Sequence, residues 1–357
     1  MMWHFWLHPL RGVAAIGVVF LHCYWTWSFY DDALVRKLYL FVDFFFVLSG
    51  FVISSGYALK IRTRTEFADF FRHRFRRLSF QYYLSGIVWL LAAWLVLKGS
   101  QSSPTLDAIV RYALFIDVFF ESETVRLNPV AWSVMAEFWI YALFAVTTVL
   151  LPSLRARLAL ASLIVVGGVI MLAMGGGWSN LNLLHGPGAV LRALTGFFLG
   201  SLCWMTLFGL RKRWLCHAAV AVLAAGTLGL VLLDGRSPDL LSLPVSALVL
   251  ILFSGIAPPA STAAAARWRW LGDISYPLYL WHFILSVGTA KLMGRLSGGG
   301  TVVFEGEKFV EVPAMTGLVA SLALVLASVL LAALMVRCER LVLEALKRYY
   351  RSRPAEV

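Results

Sequence analysis

Eleven residues separate Arg11 from His22 in "LRGVAAIGVVFLH" (10–22), a run that is otherwise almost wholly apolar. On a helix turning 100° per residue the two side chains fall within about 20° of each other, roughly 16 Å apart along the axis. Three more ionisable side chains interrupt apolar runs: Asp43, Glu137 and His282. Such a group at mid-membrane costs about 2.5–3.5 kcal/mol even on the lenient insertion scale, so it turns toward the bundle interior and marks a site. An imidazole, with an unperturbed pKa of about 6.5, suits general-base chemistry. A carboxylate, Asp43 or Glu137, would hold its tautomer and stabilise its cation. The plainer alternative for each group is a polar pair tying helices together.

Each has polar company at helical spacing. Ser275, Tyr279 and His282 lie within about 60° of one another, as do Ser133, Glu137 and Tyr141. Asp43, Gly50 and Ser54 share a stripe. His22 lies eleven residues beyond Arg11 and His282 thirteen beyond Arg269, so both imidazoles are expected near the midplane, with all four ionisable groups able to meet in the central-to-outer bundle.

A second concentration is "EFADFFRHRFRRL" (66–78). Phe67, Phe70, Phe71, Phe75 and Leu78 make one apolar face, which predicts a helix lying at the cytoplasmic interface. Arg72 and Arg76 point away from that face, where lipid phosphates suffice. Arg74 lies on it and Arg77 at its edge. An arginine turned toward the bundle needs an anion, and the phosphates of a cofactor would serve.

The elements that must position these residues follow from composition. The chain has 357 residues, of which 60% are hydrophobic and 14% charged, with a mean hydropathy of +0.79. An ordinary soluble domain carries about 25% charged residues. Apolar runs of bilayer-crossing length occur at 10–29, 38–59, 79–97, 129–151, 157–174, 189–207, 214–233, 240–257, 270–292 and 313–336. The expected fold is all-α: a polytopic bundle of about ten transmembrane helices forming a single domain over 1–357, with no room for an appended soluble module.

The net charge of +12 is distributed by topology. With the N-terminus inside, most Lys and Arg fall on cytoplasmic segments, among them Lys60 to Arg77, "RKRW" (211–214), "RWRW" (267–270) and the tail from Arg337. The positive-inside rule then predicts both termini in the cytoplasm, and no nucleic-acid partner is needed to explain the charge. Cys23, Cys203, Cys216 and Cys338 lack metal-ligand spacing, so neither a disulfide nor a metal is expected.

Five segments in order, "LRGVAAIGVVFLH" (10–22), "DFFFVLSGFVI" (43–53), "RHRFRRL" (72–78), "WSVMAEFWIY" (132–141) and "ISYPLYLWH" (274–282), resemble the acyltransferase-3 family of integral membrane enzymes. The resemblance covers nearly the whole chain. It implies transfer of an acyl group, commonly acetyl, from cytosolic acyl-CoA to a hydroxyl, typically of an extracytoplasmic or lipid-linked carbohydrate, in the bacterial cytoplasmic membrane. Arg11 and His22 match the family's Arg and His, and Arg74 and Arg77 its Arg-x-x-Arg, taken to engage the coenzyme. Glu137 matches the acidic residue of its Trp-Ser motif, and Tyr279 and His282 its late Ser-Tyr-x-x-Tyr-x-x-His element. The assignment makes His22 the base, with Asp43, Glu137 and His282 beside it in catalysis; an acyl-histidine intermediate on His22 is the rival mechanism. Arg11, Arg74 and Arg77 hold the donor, while Tyr279, Ser133 and Trp132 contact substrate. Two departures stand out. Phe80 occupies the place of the usual proline three residues after the second arginine, and "CERL" (338–341) replaces the Glu-Arg-Pro common near the end.

Residues 98–128 set Tyr112, Phe115, Phe119 and Phe120 among Asp107, Asp117, Glu121 and Glu123, a pattern that suits sugars and equally an amphipathic surface helix. The alternative function is a proton-coupled transporter, which mid-membrane His, Asp and Glu would also fit. It has no need of the Arg74/Arg77 pair.

Overall fold

The computed structural model describes residues 5–96, 104–121, 127–177, 181–209, 239–254, 256–304 and 307–352. Apart from one β-hairpin, the regular structure of these residues is helical. The main helices are α1 (Leu7–Leu21), α2 (Phe41–Tyr57), α3 (Arg64–Val96), α4 (Leu106–Ala113), α5 (Trp132–Leu150) and α6 (Leu154–Leu172). They continue with α7 (Gly186–Trp204), α8 (Ser242–Ser254), α9 (Thr262–Leu296) and α10 (Ala314–Ser352). Strands β1 (Thr301–Phe304) and β2 (Glu307–Val310) form the antiparallel hairpin between α9 and α10.

Among the described residues, five helical stretches are long and apolar enough to cross a membrane: Lys37–Tyr57, Pro129–Leu150, Leu154–Gly175, Gly186–Leu207 and Ala314–Tyr349. Leu7–Leu21 and Asp239–Ser254 are apolar but shorter. The expected span 214–233 and the "RKRW" segment lie outside the described residues. The apolar helices differ in how they spend their side chains. Of the most apolar stretch of Gly186–Leu207, 72% is buried, against 17% for Leu154–Gly175. Leu163, Val166 and Ile170 of α6 are exposed, the arrangement expected of an apolar face turned toward lipid.

Two expected boundaries change. The first span was expected to run helical to residue 29, but α1 ends at Leu21. Beyond it Trp25 bridges to Val310. The Val310 N–H donates to the Tyr24 carbonyl (3.0 Å) and the Thr26 N–H to the Val310 carbonyl (2.9 Å). The aromatic, β-branched stretch Tyr24–Trp27 thus satisfies its backbone on a strand instead of within a helix. Second, 66–78 is not a separate interfacial helix but the first turns of α3, which runs unbroken through 79–96. A capping box starts α3: the Thr63 hydroxyl accepts from the Glu66 N–H (3.2 Å), and Glu66 accepts from the Thr63 N–H (2.9 Å). The Arg62 N–H, followed by the Thr63 hydroxyl, holds the Glu66 carboxyl below its ordinary range. With Phe80 where a proline would break the ladder, nothing ends the helix there.

Contacts divide the described chain into two compact units. The first holds Tyr39–Leu78 and Leu90–Pro259, with the chain up to Leu7. Its central contact is α2 on α7. A Cβ at Gly50 would collide with the Phe197 backbone carbonyl, so only glycine permits this approach. One turn on, Ser54 donates to Ser201 (2.7 Å). The stripe of Asp43, Gly50 and Ser54 is therefore a helix-packing seam.

The second unit holds His8–Leu38, Ser79–Trp89 and Ala260–Val357. Here Gly12 lets α1 reach the backbone of Leu271 on α9, where any side chain would clash. His8 and Asp273 pair beside that crossing (2.9 Å). Gln81 of α3, fully buried, joins three helices. It donates to the Met335 carbonyl (3.1 Å) and Glu339 (2.8 Å) on α10 and accepts from the Trp281 indole on α9 (3.0 Å). The Trp25 indole donates to the Gly317 carbonyl (2.9 Å) and lies 3.0 Å from the Ser321 hydroxyl, anchoring the extended segment to α10.

Candidate functional site

His22 follows the last residue of α1, and His282 lies on α9, completely buried. The two imidazoles meet: His282 Nε2 is 3.1 Å from His22 Nδ1, and the ring centroids are 4.9 Å apart. Each ring also faces the carbonyl four residues back. His22 Nδ1 lies 2.8 Å from the Val18 carbonyl and His282 Nδ1 3.2 Å from that of Leu278. A carbonyl only accepts, so both Nδ1 atoms carry hydrogen. The His22 N–H is then shared between Val18 and the lone pair of His282 Nε2. That tautomer leaves the His22 Nε2 lone pair for a proton taken from elsewhere. The Ser286 hydroxyl donates to the His22 carbonyl and pins the turn. Tyr24 and Phe283 stand edge-on to the His22 ring at 6.0 and 5.2 Å.

Within its unit, the His22 ring thus makes polar contact with the Val18 carbonyl and the His282 imidazole. Asp43 and Glu137 belong to the other compact unit and have partners there. Both Asp43 oxygens accept from Arg192 of α7, Oδ1 from Nε and Oδ2 from Nη2, each at 2.8 Å. This pair is almost completely buried, with the guanidinium over the rings of Tyr39 (5.7 Å) and Trp132 (5.5 Å). Glu137 of α5 accepts from the Ser49 hydroxyl and from Tyr141 (2.5 Å). The spacing of Glu137 and Tyr141 announced their contact, whereas no local signal announced Ser49 or Arg192.

The arginines divide differently from the expectation. Arg74 is buried, 7% exposed, while Arg77 is exposed with Arg72 and Arg76. Arg74 donates to the Tyr57 hydroxyl (3.0 Å) and stacks over the rings of Tyr57, Phe70 and Tyr141 at 4.9, 5.7 and 5.8 Å. Its Nε is buried with no hydrogen-bond partner among the described residues. A guanidinium caged by aromatic faces and short of acceptors is built to take an anion. Arg77 follows by three residues, about 60° around the helix, and that turn carries it out of the buried stripe Phe70–Arg74–Leu78. Arg11 is partly buried on α1.

Of the suggested substrate contacts, Tyr279 is buried with its ring 6.1 Å from His282. Ser133 is buried on the first turn of α5. Trp132 is committed to packing on Arg192 and Phe46. On α4 and just beyond it, Arg111 binds Asp107 (2.9 Å) and Asp117 (3.5 Å), and Tyr112 and Phe115 are buried. Only Phe119 and Phe120 of the four aromatic rings remain exposed, and Glu123 lies outside the described residues. No group of three metal-ligating side chains occurs among the described residues.

The described chain is thus a helical protein with a buried histidine pair in one compact unit and a buried arginine in an aromatic cage in the other. The chain belongs to the acyltransferase-3 family: the family's acyltransferase-domain model matches residues 4–337. A protein of Acidianus two-tailed virus that carries an acetyltransferase name (ORF330) is 23% identical over 290 residues, 77% of this chain and 81% of its own length. YrhL of Bacillus subtilis (strain 168), which carries a peptidoglycan O-acetyltransferase name, is 27% identical over 317 residues, 78% of this chain. The chain spans about half of YrhL, 48% of its length. No solved structure matches.

Proposed function

We propose that this protein is a membrane O-acyltransferase moving an acyl group, acetyl in the first instance, from cytosolic acyl-CoA to a hydroxyl of an extracytoplasmic or lipid-linked carbohydrate. The observation that carries the reading is the contact of His22 Nδ1 with the Val18 carbonyl and His282, the arrangement that would leave Nε2 of His22 as a base in a chain of this family. The family match also weighs against the transporter alternative, and its span supports treating both compact units as one acyltransferase domain, with both termini in the cytoplasm of a bacterial cell.

His22 Nε2 takes the acceptor's proton as its oxygen attacks the thioester carbon. The tetrahedral adduct collapses, and the departing thiolate recovers that proton. His282 holds the His22 tautomer. Arg74 takes an anionic group of the donor, with Arg11 nearer the cytosol guiding its arm and Arg77 steering it from the surface. Glu137, hydrogen-bonded to Ser49 and Tyr141, contributes its carboxyl beside Arg74's aromatic cage, and Asp43 locks α2 to α7. Ser133 and Tyr279 contact substrate.

The direct test supplies purified protein in lipid nanodiscs with labelled acetyl-CoA and a panel of peptidoglycan fragments and other glycans. Label is expected on a glycan hydroxyl. If every glycan stays unlabelled and acetyl-CoA is not consumed, the reading fails. Coenzyme titration adds a second prediction. Arg74→Ala should weaken acetyl-CoA binding about tenfold or more, since one charge-assisted contact is worth roughly 1.5–3 kcal/mol. Arg77→Ala should cost only a small factor, as its exposed charge is screened. Equal losses from both variants would mean that the buried guanidinium has no special part.

A further inference from the structure

Trp89 lies on α3 one helical face above Gln81 and Ser85, at i+8 and i+4. Its indole nitrogen is buried and has no hydrogen-bond partner among the described residues. Other indoles are satisfied: those of Trp6, Trp25, Trp139 and Trp281 donate to Ala257, Gly317, Phe115 and Gln81 at 2.9, 2.9, 3.0 and 3.0 Å. A tryptophan in a membrane protein often spends its N–H on lipid headgroups at the interface. Trp89 cannot, because the nitrogen is covered by protein. An orphan donor of this kind asks for an explanation.

Its surroundings supply one. The Trp89 ring packs 5.5 Å from Phe283, and the same phenyl ring stands 5.2 Å from His22. Tyr24 closes on Phe283 from 6.2 Å and on His22 from 6.0 Å. The Trp89 and His22 rings therefore pack on the same phenyl ring, one carrying an N–H with no partner among the described residues and the other the Nε2 lone pair. Acyl transfer needs this combination: a base for the attacking hydroxyl and a donor for the oxygen on which charge develops.

Building on the acyltransferase reading above, we infer that the Trp89 indole N–H donates to the carbonyl oxygen of the acyl group in transfer. As the acceptor oxygen bonds to the thioester carbon and its proton passes to His22 Nε2, the carbonyl π pair moves onto oxygen. The indole hydrogen bond then strengthens against that oxyanion. When the pair returns, the C–S bond breaks and the thiolate takes the proton from His22. The low dielectric among these aromatic rings magnifies the contact in the transition state.

The test measures steady-state kinetics with acetyl-CoA and the glycan the wild type acetylates fastest. Trp89→Phe keeps the ring and removes the donor. It should lower kcat by a factor on the order of 10²–10³, the scale of one lost oxyanion donor, with both KM values little changed. Trp89→Tyr returns a hydroxyl at the ring's tip and should recover part of the loss, while thermal unfolding of all three proteins should agree within a few degrees. Activity of Trp89→Phe near the wild type overturns the inference, as does a loss confined to the glycan KM. If Trp89→Phe is unstable, Trp89→Tyr decides: a stable tyrosine variant no more active than buffer overturns it, and appreciable turnover supports it. A wild type that transfers no acetyl group removes the acyltransferase reading and this inference with it, whereas the other outcomes bear on Trp89 alone.

Discussion

Replacing His22 with alanine should lower acyl transfer by a factor on the order of 10² or more, the usual contribution of a positioned general base. Acetyl-CoA binding should survive, because the proposed donor contact is Arg74, held by Tyr57, Phe70 and Tyr141. His282→Ala should lose less. It removes the acceptor of the His22 Nδ1 hydrogen but leaves the Val18 carbonyl to hold the ring. The order of the two variants is the diagnostic. Single-turnover transfer of labelled acetyl to glycan would measure it, with retained coenzyme binding as the control for folding. His22→Ala turning over at the wild-type rate would remove the base assignment. A His282→Ala more damaged than His22→Ala would reverse the roles of the two rings.

The largest stability effect is expected at the pair between Asp43 and Arg192. Arg192→Met would leave the Asp43 carboxylate buried without its two guanidinium hydrogen bonds. Breaking one side of such a buried pair costs about 3–5 kcal/mol. The methionine fills much of the space between Tyr39 and Trp132, so the loss belongs to the charge rather than to a cavity. Adding Asp43→Asn should restore a large part, since the remaining group is no longer an ion. Thermal unfolding in one detergent compares the three variants. An Arg192→Met protein that unfolds with the wild type, or a double variant worse than the sum of the singles, would show that the pair does not stabilise this fold.

Part of this was legible in the sequence because it depends only on angle around a helix's own axis. The hydropathy runs located α2, α5, α6, α7 and α10. The four-residue spacing of Glu137 and Tyr141 predicted neighbours, and the two hydrogen-bond. The wheel put Arg74 on the apolar face and Arg72 and Arg76 off it, and their burial follows that division. Membership of the acyltransferase-3 family was likewise written in five ordered segments.

The tertiary structure decided which partner each polar group took. His22 and His282 are 260 positions apart, Asp43 and Arg192 149. Periodicity cannot join residues on different helices, so the sequence alone does not rank a carboxylate against an imidazole as the neighbour of His22. The stripe of Asp43, Gly50 and Ser54 had the spacing of a site, but its use as a packing seam depended on α7 presenting Arg192, Phe197 and Ser201 to it. The end of α1 at Leu21 was equally invisible, because the strand that draws Tyr24 to Thr26 out of the helix comes from Val310. Arg77 sat at the edge of its wheel, and only the neighbours of α3 determined that the edge faces outward. Local periodicity sets the faces a helix offers, and the packing of distant elements determines what each face meets.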